Sequence, residues 1–144
     1  MGGDAGVVRI RPQPMLSPTH GGSPRRLTTH SADEVTPSWS HGKWLYFASN
    51  RGGEFQIWKT SASTGESAST PAPRVTRGGG FGPVESPDGK YLYFGKSRKK
   101  PALGRLALAR GTDRPGEMIL ESLQDWGQWA IGAHGIYFFA WART

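Results

Sequence analysis

The side chains best suited to chemistry are few and scattered along this chain. Four histidines stand at positions 20, 30, 41 and 134, each in a polar or glycine-containing stretch. A zinc or copper centre needs three or four ligands brought together by strand or helix spacing, and no two of these histidines share such a spacing. Cysteine is absent, which excludes a thiolate metal site, a disulfide framework and a cysteine nucleophile. The chain has no Gly-x-Ser-x-Gly elbow, no Gly-x-x-x-x-Gly-Lys-Ser/Thr phosphate loop and no His-Glu-x-x-His pair, so the usual routes to acyl transfer, nucleotide hydrolysis and zinc proteolysis are missing. The expectation is a chain without catalytic residues, metal or cofactor.

Two carboxylates invite a closer look. Asp88 lies in Ser86-Pro87-Asp88-Gly89. There proline presets φ, aspartate bonds its own backbone and glycine closes the turn, so Asp88 reads as a turn residue. The alternating oxygen ligands of a calcium loop do not follow it. Glu85 stands on a short strand where an earlier copy of the same segment has Trp39. It reads as a solvated side chain, with ligand contact as the sharper alternative.

Positive charge is the stronger signal. The net charge is +7, and residues 74–114 account for the whole excess. Its densest point is Lys96-Ser97-Arg98-Lys99-Lys100. With Arg51 and Arg77, which fall in loops expected at the same end of the fold, Lys96, Arg98, Lys99 and Lys100 form a candidate binding face for an acidic protein or a phosphate group, and such binding weakens with salt. The structural alternative is a charged edge that blocks sheet-to-sheet aggregation. Aromatics interleaved with Lys and Arg also suit base stacking. Trp39, Trp44 and Trp58, however, recur at strand positions, where packing between sheets is the simpler use. Direct DNA contact is therefore not expected of this segment.

These residues must be positioned by short strands. Gly and Pro together number 32 of 144 residues, and no helical period persists over ten residues. The segment Lys43-Trp44-Leu45-Tyr46-Phe47-Ala48-Ser49 recurs as Lys90-Tyr91-Leu92-Tyr93-Phe94-Gly95, and Gly135-Ile136-Tyr137-Phe138 is a third, weaker copy. The repeat spacing is 47 and then 44 residues, a period that belongs to four-stranded sheet repeats. In Tyr91-Leu92-Tyr93-Phe94 one face carries Tyr and the other Leu and Phe, so both faces are expected to be covered.

Each unit reads as four strands. The first has Val35–Ser40, Lys43–Ser49, Glu54–Thr60 and Pro73–Arg77; the second has Phe81–Ser86, Lys90–Lys96, Leu103–Ala109 and Glu117–Glu121. The Ser61–Ala72 connection, rich in Ser, Thr and Ala, reads as flexible. Residues 21–28 read as a stray outer strand, and 1–20 as irregular, an edge strand at Val7–Ile10 being the lesser alternative because Pro12, Pro14 and Pro18 follow closely. No run of 18 apolar residues exists and Met1–Gly22 lacks an apolar core, so neither a membrane span nor a secretory signal is expected. The compartment, cytoplasmic or periplasmic, stays open.

Pro37-Ser38-Trp39-Ser40, Ser86-Pro87-Asp88-Gly89-Lys90, Leu45-Tyr46-Phe47-Ala48-Ser49-Asn50-Arg51 and Gln56-Ile57-Trp58 resemble TolB-like β-propeller repeats, bacterial relatives of WD-repeat blades. The stretch 75–90 and the later Asp125-Trp126-Gly127-Gln128-Trp129-Ala130 are most similar to the propeller region of winged-helix transcriptional regulators. The resemblance spans residues 21–141. It implies an all-β fold, a β-propeller fragment of about two complete four-stranded antiparallel blades plus partial ones: blade 35–78, blade 81–121 and an incomplete blade 126–144. It further implies a non-catalytic interaction or sensing module, a protein partner, and self-association through uncovered blade faces. Two other parents carry the same repeats, namely the substrate-gating domain of prolyl-oligopeptidase-type serine peptidases and periplasmic TolB-like translocation proteins. The first copy departs from the pattern, because Ser40-His41-Gly42 makes its first turn one residue short.

Overall fold

The computed structural model describes residues 11–125 and 127–141. Val7–Ile10, the lesser strand candidate, and Trp126 lie outside the described residues. The strands are β1 (Met15–Leu16), β2 (Arg25–Arg26), β3 (Glu34–Trp39), β4 (Trp44–Ser49), β5 (Gln56–Ser61), β6 (Phe81–Glu85), β7 (Tyr91–Gly95), β8 (Leu103–Ala107), β9 (Glu117–Leu120), β10 (Trp129–Gly132) and β11 (Gly135–Phe138). One 3-10 turn, Leu108–Arg110, is the only helical element among the described residues. The strands form four antiparallel sheets, β1-β2, β3-β4-β5, β6-β7-β8-β9 and β10-β11. The chain is all-β, and among the described residues its sheets close into no ring or barrel.

The sheets pack face to face in chain order, because the central strands are apolar on both sides. In β4, Tyr46 and Ala48 join Ile57, Val75, Phe81, Leu92, Phe94 and Leu106 in one core between the second and third sheets. Leu45, next to Tyr46 but on the other face, packs with Leu27 and Ala62. In β7, Leu92 and Phe94 face back toward β4, while Tyr93 faces forward to Leu103 and Leu123, flanked by Trp129, Ile131 and Ile136. This is the two-sided burial expected from Tyr91-Leu92-Tyr93-Phe94. Each fully buried Leu or Phe stabilises the stack by roughly 1.5–3 kcal/mol.

The two large sheets share their irregularities. The pairing of β3 with β4 shifts register between Val35 and Ser38, and that of β6 with β7 shifts between Phe81 and Val84. Both shifts are β-bulges. At corresponding positions Thr36 (φ 51°) and Gly82 (φ 55°) adopt left-handed backbone. The strain on the non-glycine copy is offset by a bond between the bulges: Gly82 N–H donates to Thr36 Oγ1 at 3.0 Å. The turns that follow are serine-anchored in both copies. Ser40 Oγ accepts Trp44 N–H (2.8 Å), and Ser86 Oγ accepts Tyr91 N–H (3.0 Å) while donating to Asp88 Oδ1 (2.6 Å). The turn thus tolerates the missing residue, since the serine and not the loop length sets its closure.

Three expectations need correction. The second sheet has three named strands, and its expected fourth survives only as a bridge between Trp58 and Arg74. Pro73 has no N–H to donate to a ladder; its carbonyl accepts Lys59 N–H at 3.2 Å, and pairing resumes with Val75 N–H to Ile57 O at 2.7 Å. Residues 15–16, expected to be irregular, form β1 and pair with β2, so residues 25–26 have a partner strand. That hairpin repeats the β5 edge bond for bond. Leu27 N–H to Pro14 O matches Val75 N–H to Ile57 O, and Glu34 N–H to Pro12 O matches Gly80 N–H to Phe55 O. Thr28 Oγ1 lies 3.2 Å from the Gln13 side-chain oxygen, in the place where Thr76 Oγ1 donates to Gln56 at 2.9 Å. Finally, the loop after β5 is not loose. Ala62, Glu66 and Ala72 are buried in it, because the Glu66 carboxylate is claimed by distant segments.

Candidate functional site

The candidate basic face divides into residues with different roles. The β7–β8 loop is a tight hairpin in which Ser97 Oγ accepts the N–H groups of Lys99 (3.2 Å) and Lys100 (3.3 Å). This bonding presents Lys99 and Lys100 to solvent, where both are exposed. Arg98 lies with its guanidinium 4.6 Å from the Phe81 ring and 5.6 Å from the Phe55 ring. Those two rings have their centroids 5.0 Å apart and are tilted by 36°, so Arg98 covers the end of the aromatic seam between the two large sheets. Lys96 is half-buried, and its backbone N–H donates to Ala102 O at 2.9 Å. The 77–80 loop lies against this hairpin, since a Cβ on Gly79 would strike the Lys96 carbonyl oxygen. The two loops therefore share one end of the fold, as expected.

Arg77 stands there too, but it is ion-paired. Arg77 and Arg74 both hold the Asp113 carboxylate, at 2.8 and 2.7 Å. Their bonds to Asp113, from Arg74 first, pull its carboxyl below the usual range.

Arg51 is not on the face at all. Its side chain is 6% exposed and turns inward between Glu34 and Glu66, which are 0% and 2% exposed. It donates to both carboxylates, at 2.7 Å to Glu66 Oε2, and lies 5.4 Å from the Phe47 ring and 5.2 Å from the Trp58 ring. Glu66 also accepts the N–H groups of Ala72 (2.6 Å) and Thr29 (2.9 Å), while Thr28 Oγ1 donates to Glu34. Burial by itself would raise the Glu66 carboxyl; the bonds from Arg51, Ala72 and Thr29 outweigh it and bring it down to about 2. Arg51 is thus a structural cation for two carboxylates, and its removal from the candidate face is a correction with a clear cause. One signal in the sequence points to it: Glu66 and Asp113 are 47 residues apart, as are Arg51 and Arg98.

The remaining candidates fall into place. Asp88 accepts Lys90 N–H (3.0 Å) and the Ser86 hydroxyl, which hold its carboxyl low and make it a turn residue. His41 donates from Nε2 to the Ser86 carbonyl at 3.1 Å, tying the first serine turn to the second. No three His, Asp or Glu side chains gather as metal ligands among the described residues. Glu85 is half-buried at the end of β6. Burial first, and the Glu85 charge second, push the Tyr46 phenol up to about 12. Trp44 and Trp58 are half-buried, but Trp39 is 56% exposed, so it does not serve the inter-sheet packing expected of it. No helix among the described residues is long and apolar enough to cross a membrane. The chain matches no family model and no curated protein.

Proposed function

We propose that the chain is a non-catalytic interaction or sensing module, a partial β-propeller of TolB-like repeats belonging to a larger protein such as a winged-helix transcriptional regulator. What carries this reading is the repeated unit. Two sheets offset by 47 residues share a bulge, a serine-anchored turn and a face-to-face core. A third unit begins with β10-β11. In this reading β3, β6 and β10 are innermost strands and the hairpin β1-β2 closes the outer edge of a preceding blade. The contact surface is the β7–β8 end, where Lys99 and Lys100 meet an acidic protein partner. Stacked repeats need neighbours. The exposed Tyr137, Phe138, Phe139 and Trp141 at the last hairpin form the face through which the isolated chain self-associates.

Two measurements test this. Turnover of peptide and ester substrates should be nil; reproducible turnover abolished by replacing a single serine refutes the non-catalytic reading. Binding to an acidic polypeptide such as polyglutamate should fall with salt and fall again in Lys99→Glu/Lys100→Glu. Unchanged binding in that variant removes the basic hairpin as the contact.

A further inference from the structure

The chain carries a half-built sheet at each end of its stack. The hairpin β10-β11 is two strands wide, and so is β1-β2. In the two larger sheets the strand that corresponds to β11 is covered on its outer edge, β4 by β5 and β7 by β8. There Tyr46, Phe47, Tyr93 and Phe94 are buried, whereas Tyr137 and Phe138, at the same places on β11, are 63% and 43% exposed. Among the described residues no strand pairs with the outer edge of β11 or of β1.

The strand that β11 lacks has the pattern of β1. In their bonds to the segment beyond them, Pro14 stands for Ile57 and Gln13 for Gln56, so Met15 stands for Trp58 and Leu16 for Lys59. Trp58 pairs with Phe47 and Lys59 with Tyr46. The same register sets Met15 opposite Phe138 and Leu16 opposite Tyr137. The prolines agree with it. The carbonyls of Pro12 and Pro14 accept from Glu34 and Leu27, and Leu16 pairs with Arg25. Backbone direction alternates along a strand, so Gln13, Met15 and Ser17 turn their N–H groups to the open side. Pro12, Pro14 and Pro18 all fall on the other side, and the free edge keeps these three donors. On β11, Phe139 N–H donates to Gln128 O, which leaves Ile136 and Phe138 to face outward. The two edges of one chain do not meet, because the second and third sheets stand between the hairpins.

We propose that two copies of the chain join head to tail by strand exchange, β1 of each pairing with β11 of the other in a mixed four-stranded sheet. The exchange covers Met15, Leu16 and Phe138. It also lays Tyr137 against Leu45 and Trp39 of the other copy, as Tyr46 lies against Leu92 and Tyr93 against Ile136 within the chain. Trp39, opposite Leu45 in its ladder, is 56% exposed and gains the cover it lacks. Charge favours the same polarity. Arg25 and Arg26 at the head donate to neutral oxygens, while residues 115–141 at the tail hold three carboxylates and no Lys or Arg, so tail on tail would repel. Each copy supplies two units and shares a third at either end, so two copies make six, within the roughly four to eight units of closed rings. The exchange rests on the self-association proposed above; closure into a ring rests in addition on the propeller reading.

Sedimentation of the whole chain should show a particle of two copies. Met15→Pro and Phe138→Pro each delete an N–H at the exchanged edge and place a ring where the opposite strand must lie, without touching the bonds inside their own hairpins. Each variant alone should be monomeric at concentrations where the parent is dimeric. An equimolar mixture keeps one intact joint and should recover a 1:1 pair. Leu16→Cys mixed with Tyr137→Cys should form an inter-chain disulfide on mild oxidation, and neither variant should do so alone. A monomeric parent overturns the exchange and the self-association together. If Met15→Pro associates as the parent does, self-association stands and the exchange falls. Monomeric variants that fail to pair on mixing, or the lack of a mixed disulfide, also overturn the exchange. If a proline variant fails to fold, the disulfide decides. Open-ended assemblies in place of a dimer uphold the exchange and overturn the ring.

Discussion

The loops after β5 and after β8 make the same backbone connection and reach opposite electrostatic outcomes. Glu66 N–H donates to Leu27 O at 2.7 Å, and Asp113, 47 residues on, donates to Val75 O at 2.8 Å. Each loop thereby docks an acidic residue onto the strand edge of the preceding unit. Glu66 is then enclosed, with Arg51, Thr29 and Ala72 as partners, whereas the Asp113 side chain stays 43% exposed between Arg74 and Arg77. The corresponding arginines diverge likewise: Arg51 is sealed between carboxylates, and Arg98 lies across an aromatic seam. A repeated docking contact therefore does not imply a repeated energetic role. What differs is the supply of partners: Glu34 faces Arg51 in the first unit, its counterpart in the second is Gly80, which has no carboxylate, and Arg98 lies over Phe81 instead.

The sharpest way to break this comparison is to remove the two arginines. Arg51→Ala would leave two buried carboxylates without their cation, and a loss of about 3–5 kcal/mol is expected. Arg98→Ala gives up mainly its stacking on Phe55 and Phe81, about 0.5–2 kcal/mol. Urea denaturation of both variants measures the difference; equal losses would mean that Arg51 is not the central cation.

The acids come next. Glu66→Gln should destabilise the fold strongly at neutral pH, while Asp113→Asn should barely move the urea midpoint, since exposed ion pairs contribute little. Acid titration separates them further. The folded Glu66 carboxyl is held at about 2, below the roughly 4.3 of an unfolded chain. Its contribution is therefore complete above the unfolded value and is lost as pH falls toward the folded one. Melting temperature should drop across that window in the parent and much less in Glu66→Gln. A parallel acid limb in the two proteins would refute the buried pair.

A smaller effect is expected at the bulges. Thr36→Gly relieves the left-handed strain but deletes the acceptor of Gly82 N–H, so the net change should stay within about 1 kcal/mol, the strain and the hydrogen bond being of similar size. A loss well above that would show the inter-bulge bond to be a main tie between the two sheets. The smallest change, within about 0.5 kcal/mol, is expected for Lys99→Glu/Lys100→Glu on stability.

Much of the fold was legible in the residues. The copies at 44–49 and 91–95 became central strands buried on both faces, because alternation of apolar side chains leaves neither side fit for water. Ser-Pro-Asp-Gly became the turn its chemistry dictates. The pairing of Met15–Leu16 was hidden, since Pro12, Pro14 and Pro18 mask so short a strand. Trp39 misled because an aromatic at a repeated strand position need not face a neighbouring sheet. The basic face was half legible: Lys99 and Lys100 stand where the hairpin puts them, while Arg51 and Arg77 were claimed by carboxylates. The cavity beside β8 that Arg105, Arg110 and Arg114 line had no motif, because they meet only when the 111–116 loop folds back on β8.

By itself, the sequence determined the strands, their turns, the 47-residue repeat and the two-sided burial. Those features follow from residue type at short range: alternation, turn chemistry and the missing N–H of proline. Only the tertiary structure decided the fate of each charge. Whether an arginine is a binding group or a buried counter-ion depends on which acceptors distant segments deliver to it. Glu34 and Glu66 are delivered to Arg51 from 17 and 15 residues away, and Asp113 reaches Arg77 from 36 away. Spacing along the chain does not encode those encounters; the pairing of strands within a unit and the docking of each loop on the preceding unit do.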